Sequence, residues 1–167
     1  EALNKHDHVD FQFKENNLTL RYRDPRRFGS ILWTEGDPHS HKLIKNLGPE
    51  PLNEEFDAKY LFIRLKNKKQ CIKNAIMDSH IVVGVGNIYA SEALHDSGIR
   101  PDRISRKVSM KEIGSLVKSI KNIIKDAIKK GGSTMNDFFD VNGENGYFQN
   151  EHKVYGRENE PCSHCQH

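Results

Sequence analysis

The sequence predicts an α+β chain, strands first and helices after, on three observations. Residues 8–22 alternate apolar and polar at the period of a strand. From about Ala58 onward apolar residues recur at helical spacing instead. Between the two lies a stretch, residues 34–53, crowded with Gly, Pro, His and Asp, where a domain boundary fits.

In H-V-D-F-Q-F, residues 8–13, the side chains of Val9, Phe11 and Phe13 share a face, and Leu18, Leu20 and Tyr22 alternate in turn. Glu15-Asn16-Asn17 is turn material, so the pair reads as a hairpin. Asp24-Pro25 breaks the run, and Phe28 to Trp33 reads as a third strand. Three short strands cannot bury both faces, so this piece is expected to belong to a larger sheet. The linker that follows should hold one short helix near His41 to Asn46.

The clearest helix is Met110 to Lys130, where Ile113, Leu116, Val117, Ile120, Ile123, Ile124, Ala127 and Ile128 repeat at i, i+3, i+4 and i+7. Ser109 and Glu112 predict a capping box at its start, and Gly131-Gly132 stop it. Upstream, Met77 to Gly98 has a short apolar centre, Ile81 to Val83, then Gly84 and Gly86, then Asn87 as the expected N-cap of a helix ending at Gly98. The first turn of such a helix offers free N–H groups and a positive dipole, for which a phosphate is the natural ligand. The competing reading is a tightly packed corner that needs glycine only for space. After Gly132 the periodicity dissolves, and the two glycines within Asn142 to Gly146 predict a mobile loop.

Composition excludes more than it assigns. The 26 Lys+Arg against 23 Asp+Glu give a net charge of only +3, so distribution matters more than the sum. Ten basic and three acidic residues lie between Arg100 and Lys130, and five basic residues and no acid between Arg64 and Lys73. Basic residues thus flank the Met77–Gly98 stretch. No apolar run approaches the roughly 20 residues of a membrane span, and no signal-peptide pattern appears. Three Cys, two of them spaced C-x-x-C, suggest a reducing, intracellular compartment rather than a disulfide framework.

Two small constellations could carry chemistry. Cys162-x-x-Cys165 is half of a tetrahedral thiolate site, which needs a second pair; a thioredoxin-like redox motif would instead open a helix in a βαβ unit, which the pattern does not show. D-P-R-R-F-G at Asp24 to Gly29 is either an Asp-tied turn with Phe28 in the core, or a wedge with Phe28 entering an opened base step and Arg26 facing a base edge. G-V-G-N lacks the third glycine of a dinucleotide fingerprint, and no Walker, H-E-x-x-H or G-x-S-x-G motif is present.

Eight segments occur in one order: H-D-H-V-D, D-P-R-R-F-G, N-L-G-P-E-P-L, M-D-x-x-x-V-V-G-V-G-N-I-Y-A-S-E, G-I-x-P-D-R, Gly131-Gly132-Ser133-Thr134, G-Y-F and V-Y-G-R-x-x-x-P-C-x-x-C. Together they resemble the bacterial formamidopyrimidine-DNA glycosylases, a family that includes endonuclease VIII-type enzymes. N-L-G-P-E-P-L and D-P-R-R-F-G favour the branch acting on 8-oxoguanine and formamidopyrimidines. The resemblance implies a base-excision repair enzyme, cytoplasmic and monomeric, with no membrane association. Its partner is double-stranded DNA bearing an oxidised purine or abasic site, bent in a cleft with the damaged nucleotide flipped out. It removes the base through a Schiff base to an N-terminal proline and cleaves the abasic sugar by β,δ-elimination.

Carried over by position, the resemblance divides the chain into residues 1–36, remnant strands of an N-terminal β-sandwich; 37–53, a linker; 54–150, a helix-two-turn-helix domain with its lesion loop; and 151–167, the start of a zinc-finger β-hairpin. His6, Arg26 and Lys68 match DNA-contacting residues, and Lys73, Asn87 and Tyr155 match those gripping the flanking phosphates. Arg26 and Phe28 fill the gap left by the flipped base, with Arg26 on the orphaned cytosine. Ser133, Thr134, Gly146 and Tyr147 belong to the loop over the lesion. Cys162 and Cys165 match two of four ligands of a single Zn2+, whose binding is expected to be weak or absent here. The family's proline–glutamate start, its elimination lysine and its gap-filling methionine have no match, nor do the last two zinc cysteines and the finger arginine. The 167-residue chain by itself is therefore expected to lack glycosylase activity that the full-length protein has. The alternatives are a non-catalytic module recognising bent or abasic DNA and a purely structural zinc protein.

Overall fold

The computed structural model describes residues 3–132, 148–162 and 164–166. Two compact units result, Glu1–Pro38 and His39–His167. The α+β expectation holds, with two strands and four helices among the described residues.

In the first unit, β1 (Asp7–Gln12) pairs antiparallel with β2 (Thr19–Arg23), and a bulge lies between Asp7 and Val9. The hairpin closes where expected, with Asn17 at φ 55° and the Leu18 N–H donating to Asn16 Oδ1 at 3.1 Å. Ion pairs cross it: Arg21 takes both Asp10 oxygens at 2.8 and 2.9 Å, and Arg23 Nε donates to Asp7 at 2.8 Å. The guanidinium of Arg23 holds Asp7, and that of Arg21 holds Asp10, below the usual carboxylate range.

The expected third strand does not form. Residues 28–33 are irregular and make no backbone–backbone hydrogen bonds among the described residues, and Trp33 is 90% exposed. Alternation alone does not make a strand; its N–H and C=O groups need a neighbouring strand to meet. The short helix expected at 41–46 is likewise reduced to a 3-10 turn at Pro38–Ser40 and a single turn in which the Ile44 and Lys45 N–H groups donate to His41 O.

In the second unit, α1 (Ala58–Leu65), α2 (Ile72–Ile76), α3 (Asn87–Asp96) and α4 (Met110–Lys129) enclose one core. Helix α4 packs on α3 and α1, and α2 on α3. Phe56, Leu61, Ile72, Ile76, Ile81 and Ile113 are fully buried, each such side chain contributing roughly 1.5–3 kcal/mol of transfer free energy. The predicted face of α4 is the buried one at Ile113, Leu116, Val117, Ile120 and Ala127, while Ile123 and Ile124 are half-buried and Ile128, near the helix end, is 65% exposed. Ser119 joins the buried side and donates to Asp96 Oδ2 at 2.7 Å.

Both helix ends read from the sequence are built as expected. Ser109 and Glu112 form the capping box of α4. At Gly98 (φ 68°) the Gly98 and Ile99 N–H groups donate to His95 O and Leu94 O, the paired bonds of a Schellman stop with Ile99 buried against the helix end. Gly131 and Gly132 close α4 in the same way, through Ile128 O and Ala127 O. No helix among the described residues is long and apolar enough to cross a membrane.

Candidate nucleic-acid interface

The site is organised around the loop 77–86 and the start of α3. Asn87 is the first residue of the helix, not its cap; the cap is Gly86, in extended backbone and with no side chain to give. The capping expectation is thus corrected, and the reason is register: Gly86 carries the extended φ/ψ that a capping residue needs. Among the described residues the N–H groups of Asn87, Ile88 and Tyr89 have no acceptor and the exposed Asn87 side-chain amide makes no hydrogen bond. An uncapped, solvent-facing N-terminus on a ten-residue helix presents partial positive charge and aimed donors to an anion.

The loop that aims it is pinned from several sides. Gly48 N–H donates to Ser79 O at 2.8 Å, and Val83 N–H donates to Pro49 O at 3.2 Å. Tyr60 Oη donates to Ile81 O at 2.9 Å, and Arg64 Nη2 donates to His80 O at 2.6 Å. Asp78 closes the loop internally, accepting from the His80 N–H at 3.0 Å, and this bond holds its carboxyl below the ordinary range.

Lys68 approaches Asp78 at 3.9 Å. Lys73, in α2, has no carboxylate within 4.0 Å among the described residues and lines a cleft of about 350 Å³ with Ser91, His95, Arg100 and Val154. Tyr155 is half-buried, its ring edge-on to His152, which meets Phe148, which in turn meets Tyr89 of α3. Lys68, Lys73, Asn87 and Tyr155 thus all lie in the second unit.

His6, Arg26 and Phe28 lie in the first unit. The Asp24 carboxylate ties the D-P-R-R-F-G turn, accepting from the N–H groups of Arg26, Arg27 and Gly29 at 3.1, 2.9 and 2.7 Å and from Tyr22 Oη at 3.0 Å. The Gly29 N–H foremost holds it below the usual carboxylate range. The Asp24 backbone N–H in turn donates to His6 O at 3.1 Å. The turn is Asp-tied, as one reading required, but Phe28 is 89% exposed and not in the core.

At the C-terminal end, the described residues form turns where a β-hairpin was expected. Cys162 Sγ lies 3.7 Å from His95 Nε2, and the rings of His95 and His164 meet at 5.5 Å. The Cys165 backbone N–H, with help from His95, pulls the Cys162 thiol down to about 6. A thiolate-favouring C-x-x-C fits half of a tetrahedral zinc site, and the described residues hold no group of three or more metal-ligating side chains. Ser133, Thr134, Gly146 and Tyr147 lie outside the described residues.

One buried residue beside the site escaped the sequence reading. Glu92, on α3 and 3% exposed, accepts three backbone N–H bonds, from Lys153, Val154 and Tyr155, at 2.8, 3.0 and 2.8 Å. Its only local signal was a carboxylate set among Ala90, Ala93 and Leu94 on an otherwise apolar face.

A glycine-capped helix start, presented by a loop pinned between helices and flanked by Lys68 and Lys73, is the arrangement of a helix-two-turn-helix domain. The formamidopyrimidine-DNA glycosylase H2TH domain matches residues 47–139, and the chain belongs to that family. It is 54% identical, over 96% of its own length, to the formamidopyrimidine-DNA glycosylase of Marinomonas sp. strain MWYL1, and spans 59% of that relative. Among solved structures, the MutM (Fpg) protein of Thermus thermophilus superposes with a TM-score of 0.90 at 34% identity, covering 99% of this chain and 63% of that one. The Lactococcus lactis Fpg in complex with abasic-site DNA gives 0.86 at 35% identity, covering 99% and 60%. The chain therefore spans about three-fifths of the relatives it matches.

Proposed function

We propose that this chain is the DNA-gripping portion of a bacterial, cytoplasmic base-excision repair glycosylase that excises oxidised purines, 8-oxoguanine and formamidopyrimidines, and cleaves the abasic site by β,δ-elimination. The observation that carries the reading is the uncapped start of α3, with Asn87 exposed at its first position and Lys73 free of carboxylate partners among the described residues. Lys68 and Lys73 neutralise phosphates beside the lesion; Asn87 and the N–H groups behind it orient one of them; Tyr155 joins from the C-terminal segment. His6 and Arg26 contact the duplex, and Phe28 wedges into the vacated stack while Arg26 reads the orphaned base. Ser133, Thr134, Gly146 and Tyr147 cover the flipped purine. Cys162 and Cys165 supply two of the ligands of one zinc ion, whose part is to cross-link the finger. The domain partition at 36, 53 and 150 belongs to the same proposal.

The test is fluorescence anisotropy on a duplex carrying a tetrahydrofuran abasic analogue against the same duplex intact. Preference for the abasic duplex is expected; equal affinity overturns the assignment in favour of a structural zinc protein. None of the 167 residues matches the family's N-terminal proline nucleophile, so borohydride reduction on an 8-oxoguanine duplex should leave no adduct with this chain. A covalent adduct would refute that part.

A further inference from the structure

The geometry points to Glu92 as a positioning residue, a carboxylate latch that ties the Tyr155 segment to the helix bearing Asn87. The functional half of this inference rests on the DNA-gripping reading above. Buried carboxylates are costly unless their lone pairs are met. Here they are met by three consecutive backbone N–H groups, at 2.8, 3.0 and 2.8 Å, from a segment more than sixty residues away in sequence. The donors are all main chain, so the latch fixes backbone position and not merely side-chain contact.

Two neighbours on the same helix reinforce it. Asp96, one turn on, pairs with Lys153 Nζ at 3.3 Å, and His95 reaches Cys162 Sγ at 3.7 Å. Positions 92, 95 and 96 share one face of α3, the spacing that lets three side chains act on one passing segment. Glu92 sits five residues from Asn87, about 7–8 Å along the axis. One rigid helix therefore carries a phosphate donor at its start and the anchor of the Tyr155 segment at its middle. The aromatic relay Tyr155–His152–Phe148–Tyr89 returns to that helix as well.

The experiment uses the chain and Glu92→Gln. In the parent, the amides of Lys153, Val154 and Tyr155 should be protected from hydrogen exchange; exchange at the rate of an open loop overturns the latch without any variant. In Glu92→Gln, protection at those amides should fall about tenfold or more while Ile120 in α4 keeps its own. A double-mutant cycle on the abasic duplex then separates positioning from general damage. Tyr155→Phe should cost affinity in the parent and almost nothing further in Glu92→Gln, whereas Asn87→Ala should cost the same in both. Losses that multiply for Tyr155→Phe overturn the positioning role. Absence of abasic preference in the parent defeats the DNA reading instead, and leaves the exchange result to decide the latch.

Discussion

Gly48 lies directly against the backbone of Ile81. A Cβ at position 48 would sit well inside van der Waals contact of the Ile81 carbonyl carbon and oxygen, and 2.8 Å from Val82 N. The neighbour is main chain, so it cannot swing aside. The same Gly48 donates its N–H to Ser79 O, which makes the N-L-G-P-E-P-L segment a wall for the loop before α3. Gly48→Ala should therefore destabilise the second unit by about 1–3 kcal/mol, the range of forced overpacking. Urea unfolding followed by circular dichroism measures it, and an unchanged midpoint would contradict the close approach.

The proposed phosphate grip divides into charge and orientation. Lys73→Ala should reduce the steepness of log K against log salt by about one unit, because one counterion fewer is released. Asn87→Ala should weaken binding with the slope nearly unchanged, because a neutral amide releases none. Anisotropy titrations across a salt series distinguish the two, and a full-unit change in the Asn87 variant would count against its assignment.

Phe28 separates function from stability. At 89% exposure it contributes little to folding, so Phe28→Ala should leave the unfolding free energy within about 0.5 kcal/mol of the parent. If the ring stacks in an opened base step, the same change should cost roughly 1–3 kcal/mol of binding to the abasic duplex, or about 5- to 150-fold. Loss of stability with unchanged affinity would return Phe28 to a structural role.

The α4 cap predicts a pH dependence. Glu112, bonded first by the Arg103 guanidinium and then by Ser109, is held at about 2 against an ordinary 4.5. A depressed carboxyl adds stability that is complete above its unfolded value and fades as pH falls from about 4.5 toward 2. Glu112→Gln should flatten that acid limb in a pH series of urea midpoints. Ser109→Ala, which removes the other half of the box, should cost about 1 kcal/mol at neutral pH.

What the sequence by itself determined was everything with a short period or a local signature. The hairpin at residues 8–22 followed from alternation and an Asn-rich turn. The buried face of α4, its Ser109–Glu112 start and its glycine stop followed from spacing of three and four residues. Motif order alone led to the family. Tertiary structure decided the rest. Residues 28–33 have the composition of a strand, but strandedness depends on a neighbour that alternation cannot reveal. Asn87 looked like a cap, yet the extended backbone falls on Gly86, a one-residue register set by the pinned loop. Gly48 against Ile81 and Glu92 against residues 153–155 join positions 33 and about 60 residues apart, and no local pattern encodes such pairs. Helix α3 could be read from the chain; the contacts that aim its start exist only once the chain has folded.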